Sequence, residues 1–208
     1  MILVVGSTGL LGGMIARSLL DQGKSVRILV REGSDYQALV AAGAQPAVGD
    51  MKDRASLDAA CAGVRTVITT ANAAARGGAD TFESVDINGN RNLINAAKAA
   101  EVQQFVFVSA LGAQPHAPNP LLDAKGRTEA YLKDSGISSY TILAPDIFMD
   151  VWFGMVIGMP LQSGQPVTLV GAASRKHSFV AAQDVAAFAV AAVDNPAAHN
   201  QYLPIGGP

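Results

Sequence analysis

The chain has 208 residues, half of them apolar, with 15 basic against 17 acidic side chains. That length buries one sizeable core, and a near-neutral balance without a basic run predicts no nucleic-acid partner. The single cysteine, Cys61, excludes an internal disulfide and points to a reducing, cytoplasmic setting, where a lone thiol is expected as a small buried apolar group.

Residues 1–5 are apolar, but Gly6 cuts the run short and no basic leader precedes it, so no signal peptide is expected. Residues 2–5 read as a buried strand. The loop Gly6-Ser7-Thr8-Gly9-Leu10-Leu11-Gly12 follows directly and opens a helix over 10–22. Gly6 is expected to make the tight turn, Gly9 to let a pyrophosphate approach the backbone, and Gly12 to let the helix lie close to the sheet. Free N–H groups at the helix start favour an anion, and Ser7 and Thr8 add hydroxyl donors. With a strand before and a helix after, the pattern predicts dinucleotide binding by Gly6, Ser7, Thr8, Gly9, Leu10, Leu11 and Gly12.

A second strand, 25–30, decides which dinucleotide. Val30 stands where an acid would accept from the 2′-hydroxyl of NAD, and Arg31 is the first polar group beyond the strand. Arg31 therefore predicts a 2′-phosphate, and with it NADP (NADPH) as cofactor. Glu32, one position on, is the competing ribose contact.

The rhythm continues with a helix over 35–42, a strand over 45–48, a helix over 54–60, a strand over 66–70 and a helix over 82–100. In that last helix Leu93, Ala96, Ala97 and Ala100 recur at helical spacing. A strand over 105–109, a helix over 122–134 and a strand over 139–143 complete the series. The strands are continuous apolar runs, as strands buried on both faces should be. Gly23, Gly43, Gly63 and Gly136 follow helices where left-handed cap residues are expected. Strand–helix alternation of this pitch predicts an α/β fold, a doubly wound parallel sheet of Rossmann type, over residues 1–145.

After Pro145 the pattern changes. A helical stretch over 152–161, short strands over 166–170 and 177–180, an alanine-rich helix over 184–193 and a last strand over 201–205 are expected. They predict a small C-terminal substrate lobe, 146–208, interleaved with the main sheet. The stretch 151–161 is interrupted by Gly154, Gly158 and Pro160 and is too short to span a bilayer, so no membrane association is expected. Phe148, Met149, Trp152, Phe153, Met155 and Met159 read either as helix core or as an apolar wall for an aromatic substrate. His116 lies in a proline-rich loop, and no metal-ligand spacing is present.

Several segments taken together carry more weight than the loop alone: residues 6–12, 26–31, Val48-Gly49-Asp50, 92–99 with 105–109, Lys125 with Glu129, 142–145 and 179–187. In this order they resemble the NmrA-like group of atypical short-chain dehydrogenase/reductases, which includes NAD(P)H:quinone reductases and isoflavone-reductase-like enzymes. The resemblance implies that Asp50, with Met51, lies near the adenine. It implies that Thr70, Ala71 and Asn72 line the path toward the nicotinamide ribose. Ser109 matches the serine of the dehydrogenase site, and Lys125 the lysine that hydrogen-bonds that ribose, so both are the implied catalytic residues.

Two departures stand out. Leu121 occupies the position of the general-acid tyrosine, four residues before the lysine, and Ala144 stands where many relatives carry Arg. Leucine donates no proton, which disfavours alcohol dehydrogenation and sugar-nucleotide epimerisation. The implied activity is hydride transfer from NADPH to a quinone-like or enone acceptor. Lys125 would serve as proton donor or oxyanion stabiliser if burial lowers its pKa. The alternative, also implied by the group, is a redox sensor or assembly factor that binds the dinucleotide without turnover. Relatives are expected to continue beyond Gly206-Gly207-Pro208. A shorter chain would leave the cluster after Pro145 exposed and favour a homo-oligomer.

Overall fold

The computed structural model describes residues 1–74, 77–168 and 177–207. Among them, seven parallel strands form one sheet: β1 (Ile2–Val5), β2 (Val26–Val30), β3 (Gln45–Val48), β4 (Thr66–Thr69), β5 (Gln104–Val108), β6 (Ser139–Pro145) and β7 (Gln201–Ile205). Their order is β3-β2-β1-β4-β5-β6-β7, every neighbouring pair parallel. The order reverses at β1, which pairs Val5 with Leu29 on one side and with Thr69 on the other. Connections leave that point in opposite directions, so a crevice opens at the carboxyl ends of β1 and β4.

Alternation along the strands sends side chains to two cores. Ile2 and Val4 pack with Ile15 and Leu19 of α1 (Leu10–Asp21), and with Val185 and Ala189 further along the chain. Leu3 and Val5 face the other way, onto Leu57 of α3 (Arg54–Cys61) and onto Leu93 and Ile94 of α4 (Asn90–Ala99). The short α2 (Gln37–Ala41) joins the first layer through Leu39. The helix α5 (Pro120–Lys133) joins the second through Leu132. A wide-turn, π-type segment, Phe82–Gly89, leads straight into α4, so the helix expected over 82–100 is one rod of two windings. The four expected cap glycines all have positive φ. Cys61 is buried, and burial pushes its thiol up to about 12, in keeping with a small apolar filler.

Three expectations need correction. Strand β3 is not buried on both faces: Gln45, Pro46 and Val48 are exposed because β3 is the sheet edge. There Pro46, which has no N–H, costs little. Residues 177–180 form no strand, only a single bridge between Phe148 and Val180. The Asp146 side chain takes the backbone N–H of Ser178 at 2.8 Å and so removes it from any ladder. Of the strand expected over 166–170, residues 166–168 are non-regular and 169–170 lie outside the described residues.

Beyond β6 the chain runs through α6 (Met149–Trp152), a second π-type segment (Phe153–Gly158) and α7 (Met159–Gln162), all outside the sheet. It then returns. The helix α8 (Ala182–Ala192) packs on α1, and β7 extends the sheet beside β6. Among the described residues no helix is long and apolar enough to cross a membrane.

Candidate functional site

The loop between β1 and α1 is shaped by its glycines. Gly6 has φ +88°, and a Cβ there would lie 2.5 Å from Thr70 Oγ1. A Cβ on Gly12 would lie 2.2 Å from the carbonyl oxygen of Gly6. Both positions are closed by the protein itself. Gly9 differs, since its Cβ position meets only the Gly6 oxygen, at 3.3 Å. No side chain caps α1 and no acid occupies its first turn, so the positive end of the helix faces the loop without a neutralising group. Ser7 Oγ is buried and has no hydrogen-bond partner among the described residues. A buried hydroxyl without a partner costs about 1–3 kcal/mol, which an anionic oxygen placed there would relieve. Open backbone, helix end and orphaned hydroxyl together fit the pyrophosphate of a dinucleotide.

From the loop a cavity runs toward β2 and β3, lined by Gly6, Thr8, Arg31, Asp50, Met51 and Asp80. Asp50 is held by its own turn: its N–H donates to Ser56 Oγ at 3.1 Å, and its Oδ1 accepts from Lys52 N at 2.7 Å. Met51 is buried, and its carbonyl accepts from Asn92 Nδ2 at 3.2 Å. Arg31 follows β2 as expected, but its Nη1 donates to Asp80 Oδ2 at 2.8 Å. Lys52 Nζ donates to the other oxygen of the same carboxylate, at 2.6 Å. The bond from Lys52, followed by the charge of Lys52 and Arg31, holds the Asp80 carboxyl below its ordinary range. Glu32 is exposed and borders a shallow groove beyond Arg31.

At the end of β4, Thr70 N donates to Val5 O at 3.0 Å and Asn72 Nδ2 to Thr70 O at 3.2 Å, closing a turn around Ala71. Asp86 Oδ2 accepts from Ala73 N at 2.8 Å and ties this loop to the helix before α4. Beneath it lies a buried polar network. Lys125 is 4% exposed; its Nζ donates to Val108 O at 3.1 Å, stands 3.8 Å from Asp86 Oδ1 and lies over the Phe107 ring. Burial lowers the Lys125 pKa against the opposing pull of Asp86 and Glu129. Ser109 Oγ donates to Glu129 Oε1 in a short contact. Burial raises the Glu129 pKa, and the Ser109 bond and the lysines oppose it. Ser109 and Lys125 are thus both set at the carboxyl end of β5 and held from below by α5 and the helix before α4.

Leu121 is partly buried in the first turn of α5 and brings no acid to the site. His116 is exposed, with its N–H given to Asp123 Oδ1 at 2.6 Å. Its loop packs tightly on α5, where a Cβ on Gly126 would lie 2.2 Å from the Gln114 backbone. Of the apolar cluster after Pro145, Phe148 packs on the core, while Met149, Trp152, Phe153, Met155 and Met159 are exposed on α6, the π-type segment and α7. The core reading therefore holds for Phe148 alone. Sequence reasoning missed Lys52, Asp80 and Asp86. Nothing local marks them, because each acts on a residue from another strand or helix.

A parallel sheet with this switch point and this glycine loop defines a protein of the Rossmann-type, doubly wound α/β class. More narrowly, the chain belongs to the NmrA-like family, whose model matches residues 1–206. It is 34% identical over 206 residues to the photosystem II assembly factor Ycf39 of Cyanophora paradoxa, covering 99% of this chain and 63% of that protein. The chain therefore spans less than two thirds of that relative's length. It is 31% identical to the NAD(P)H azoreductase of Xenophilus azovorans, covering 100% of this chain and 68% of that one. Among solved structures it resembles the NADPH-dependent quinone oxidoreductase QOR2 of Escherichia coli in complex with NADPH. That likeness has a TM-score of 0.81 and 28% identity, over 100% of this chain and 69% of that chain.

Proposed function

We propose that this protein is an NADPH-dependent reductase acting on a quinone-like or enone acceptor. The observation that carries the proposal is the β1–α1 loop, with Gly9 offering backbone rather than a side chain and Ser7 Oγ buried without a hydrogen-bond partner among the described residues. Bound NADPH supplies the hydride. Gly6, Ser7, Thr8, Gly9, Leu10, Leu11 and Gly12 cradle the pyrophosphate, Arg31 takes the 2′-phosphate, and Asp50 and Met51 border the adenine. Thr70, Ala71 and Asn72 border the nicotinamide ribose. Ser109 and Lys125 complete the reacting end. A lowered pKa lets Lys125 Nζ release a proton more readily than an ordinary lysine, as a proton donor to a reduced acceptor requires. The exposed apolar face of residues 149–159, in the 146–208 lobe, is the wall for an aromatic acceptor. The likeness to an azoreductase and a quinone oxidoreductase supports this class of substrate. A cytoplasmic site of action and association of copies through this lobe belong to the same proposal.

A second reading is favoured by Leu121 and by the likeness to Ycf39: a dinucleotide-binding assembly factor or redox sensor without turnover. Loss of NADPH absorbance with a panel of quinones, enones and azo dyes separates the two. Turnover with at least one acceptor is expected, and cofactor binding without turnover across the panel establishes the second reading. Lys125→Ala is expected to lower kcat by roughly 10²-fold, the size of a lost general acid, and to leave the cofactor Kd within a few-fold. A pure loss of affinity assigns Lys125 to ribose binding only.

A further inference from the structure

We infer that Asp80 is a built-in competitor for the 2′-phosphate, and that Lys52 is the second cation of the site Asp80 occupies. The inference rests on the cofactor proposed above and deepens it. Arg31 extends from the end of β2 and Lys52 from the turn after β3, and both converge on one carboxylate from the segment after β4. One carboxylate oxygen accepts from Arg31 at 2.8 Å and the other from Lys52 at 2.6 Å, as two oxygens of a phosphate would. The carboxylate lines the same cavity as the glycine loop, together with Arg31 and Asp50.

Its position is fixed by local structure. Asp80 directly precedes Thr81, which caps the π-type segment in a reciprocal capping box with Ser84. Asp80 N also donates to Gly77 O at 3.3 Å. A helix start therefore holds the carboxylate between the two cations. Lys52 is also 3.9 Å from Asp50 on its other side. A 2′-phosphate must displace the Asp80 carboxylate from Arg31 and Lys52. A 2′-hydroxyl makes no such demand. The internal anion thus sets how strongly the protein prefers NADPH over NADH, and it keeps two cations paired when no phosphate is bound.

Calorimetric titration of the native protein, Asp80→Asn and Lys52→Met with NADPH, NADH, 2′,5′-ADP and 5′-ADP tests this. Asp80→Asn is expected to tighten NADPH and 2′,5′-ADP by about 3- to 10-fold, the scale of one charge-assisted contact in a half-exposed site, with NADH and 5′-ADP within about twofold. Lys52→Met is expected to weaken the two phosphorylated ligands by a similar factor. Unchanged or weaker NADPH binding by Asp80→Asn overturns the competitor role while a native preference for NADPH leaves the cofactor proposal standing. Selective loss of NADH overturns it too, because Asp80 would then be a ribose ligand. Unchanged selectivity in Lys52→Met removes Lys52 from the site. Failure of the native protein to bind either dinucleotide overturns the cofactor proposal itself, and this inference with it.

Discussion

Gly9 and Gly12 lie three residues apart and answer to different constraints. The Cβ of an alanine at Gly12 would be 2.2 Å from the Gly6 carbonyl, so the loop or α1 must shift. Gly12→Ala is expected to cost about 1–3 kcal/mol, as overpacking does. For a domain of this size that lowers Tm by about 2–4 °C per kcal/mol. Gly9 has an extended backbone, φ −89° and ψ 167°, that any residue adopts, and its Cβ position meets the Gly6 carbonyl oxygen at 3.3 Å, a close contact that a shift of a few tenths of an ångström would relieve. Gly9→Val is therefore expected to keep its Tm within a few degrees and to lose cofactor binding. Thermal unfolding and NADPH titration check both variants. Retained affinity in a folded Gly9→Val protein would move the pyrophosphate elsewhere.

Helix α5 concentrates the buried chemistry on one side. Lys125 and Glu129 are one turn apart, and Gly126 lets the loop that carries His116 press against the same helix. A carboxyl whose folded pKa is raised by burial contributes fully to stability below its unfolded pKa, and that contribution is lost as pH rises through the folded value. Glu129→Gln does not titrate. Relative to the native protein, the variant should therefore gain stability as pH rises from the ordinary glutamate range through the raised folded value. Urea midpoints across that range measure it. A constant difference, or one of opposite sign, would show that the Ser109 bond and the lysines outweigh burial.

Across the whole molecule, the two cores account for the sheet and its two helical layers, while the stretch from Met149 to Gln162 stands outside them. Met155 and Met159 are 54% and 62% exposed, and Phe153 meets only the tilted ring of Phe179 among aromatic partners of the described residues. Contiguous apolar surface of this kind binds hydrophobic dyes. The native protein is expected to enhance such a dye, and Met155→Lys with Met159→Lys to reduce the signal by at least about half at unchanged Tm, since neither side chain is in a core. Light scattering against concentration reads whether copies associate through this face. A native protein that stays monomeric and silent to the dye would show the face to be covered.

The sequence by itself determined what depends on neighbours along the chain. Strand–helix rhythm fixed the doubly wound class, and the spacing of Gly6, Gly9 and Gly12 between a strand and a helix marked the loop. The place of Arg31 at the end of β2 was legible because it directly follows the strand's apolar run. Tertiary structure alone decided what depends on distance through space. It made β3 an exposed edge, turned Lys125 inward onto Val108 and Asp86, and brought Asp80 to Arg31 across 49 residues of chain. It also left the face after Pro145 uncovered, which no pattern of apolar residues distinguishes from a core helix. The physical reason is the same in each case: periodicity reports which side of an element is apolar, and packing decides what that side meets.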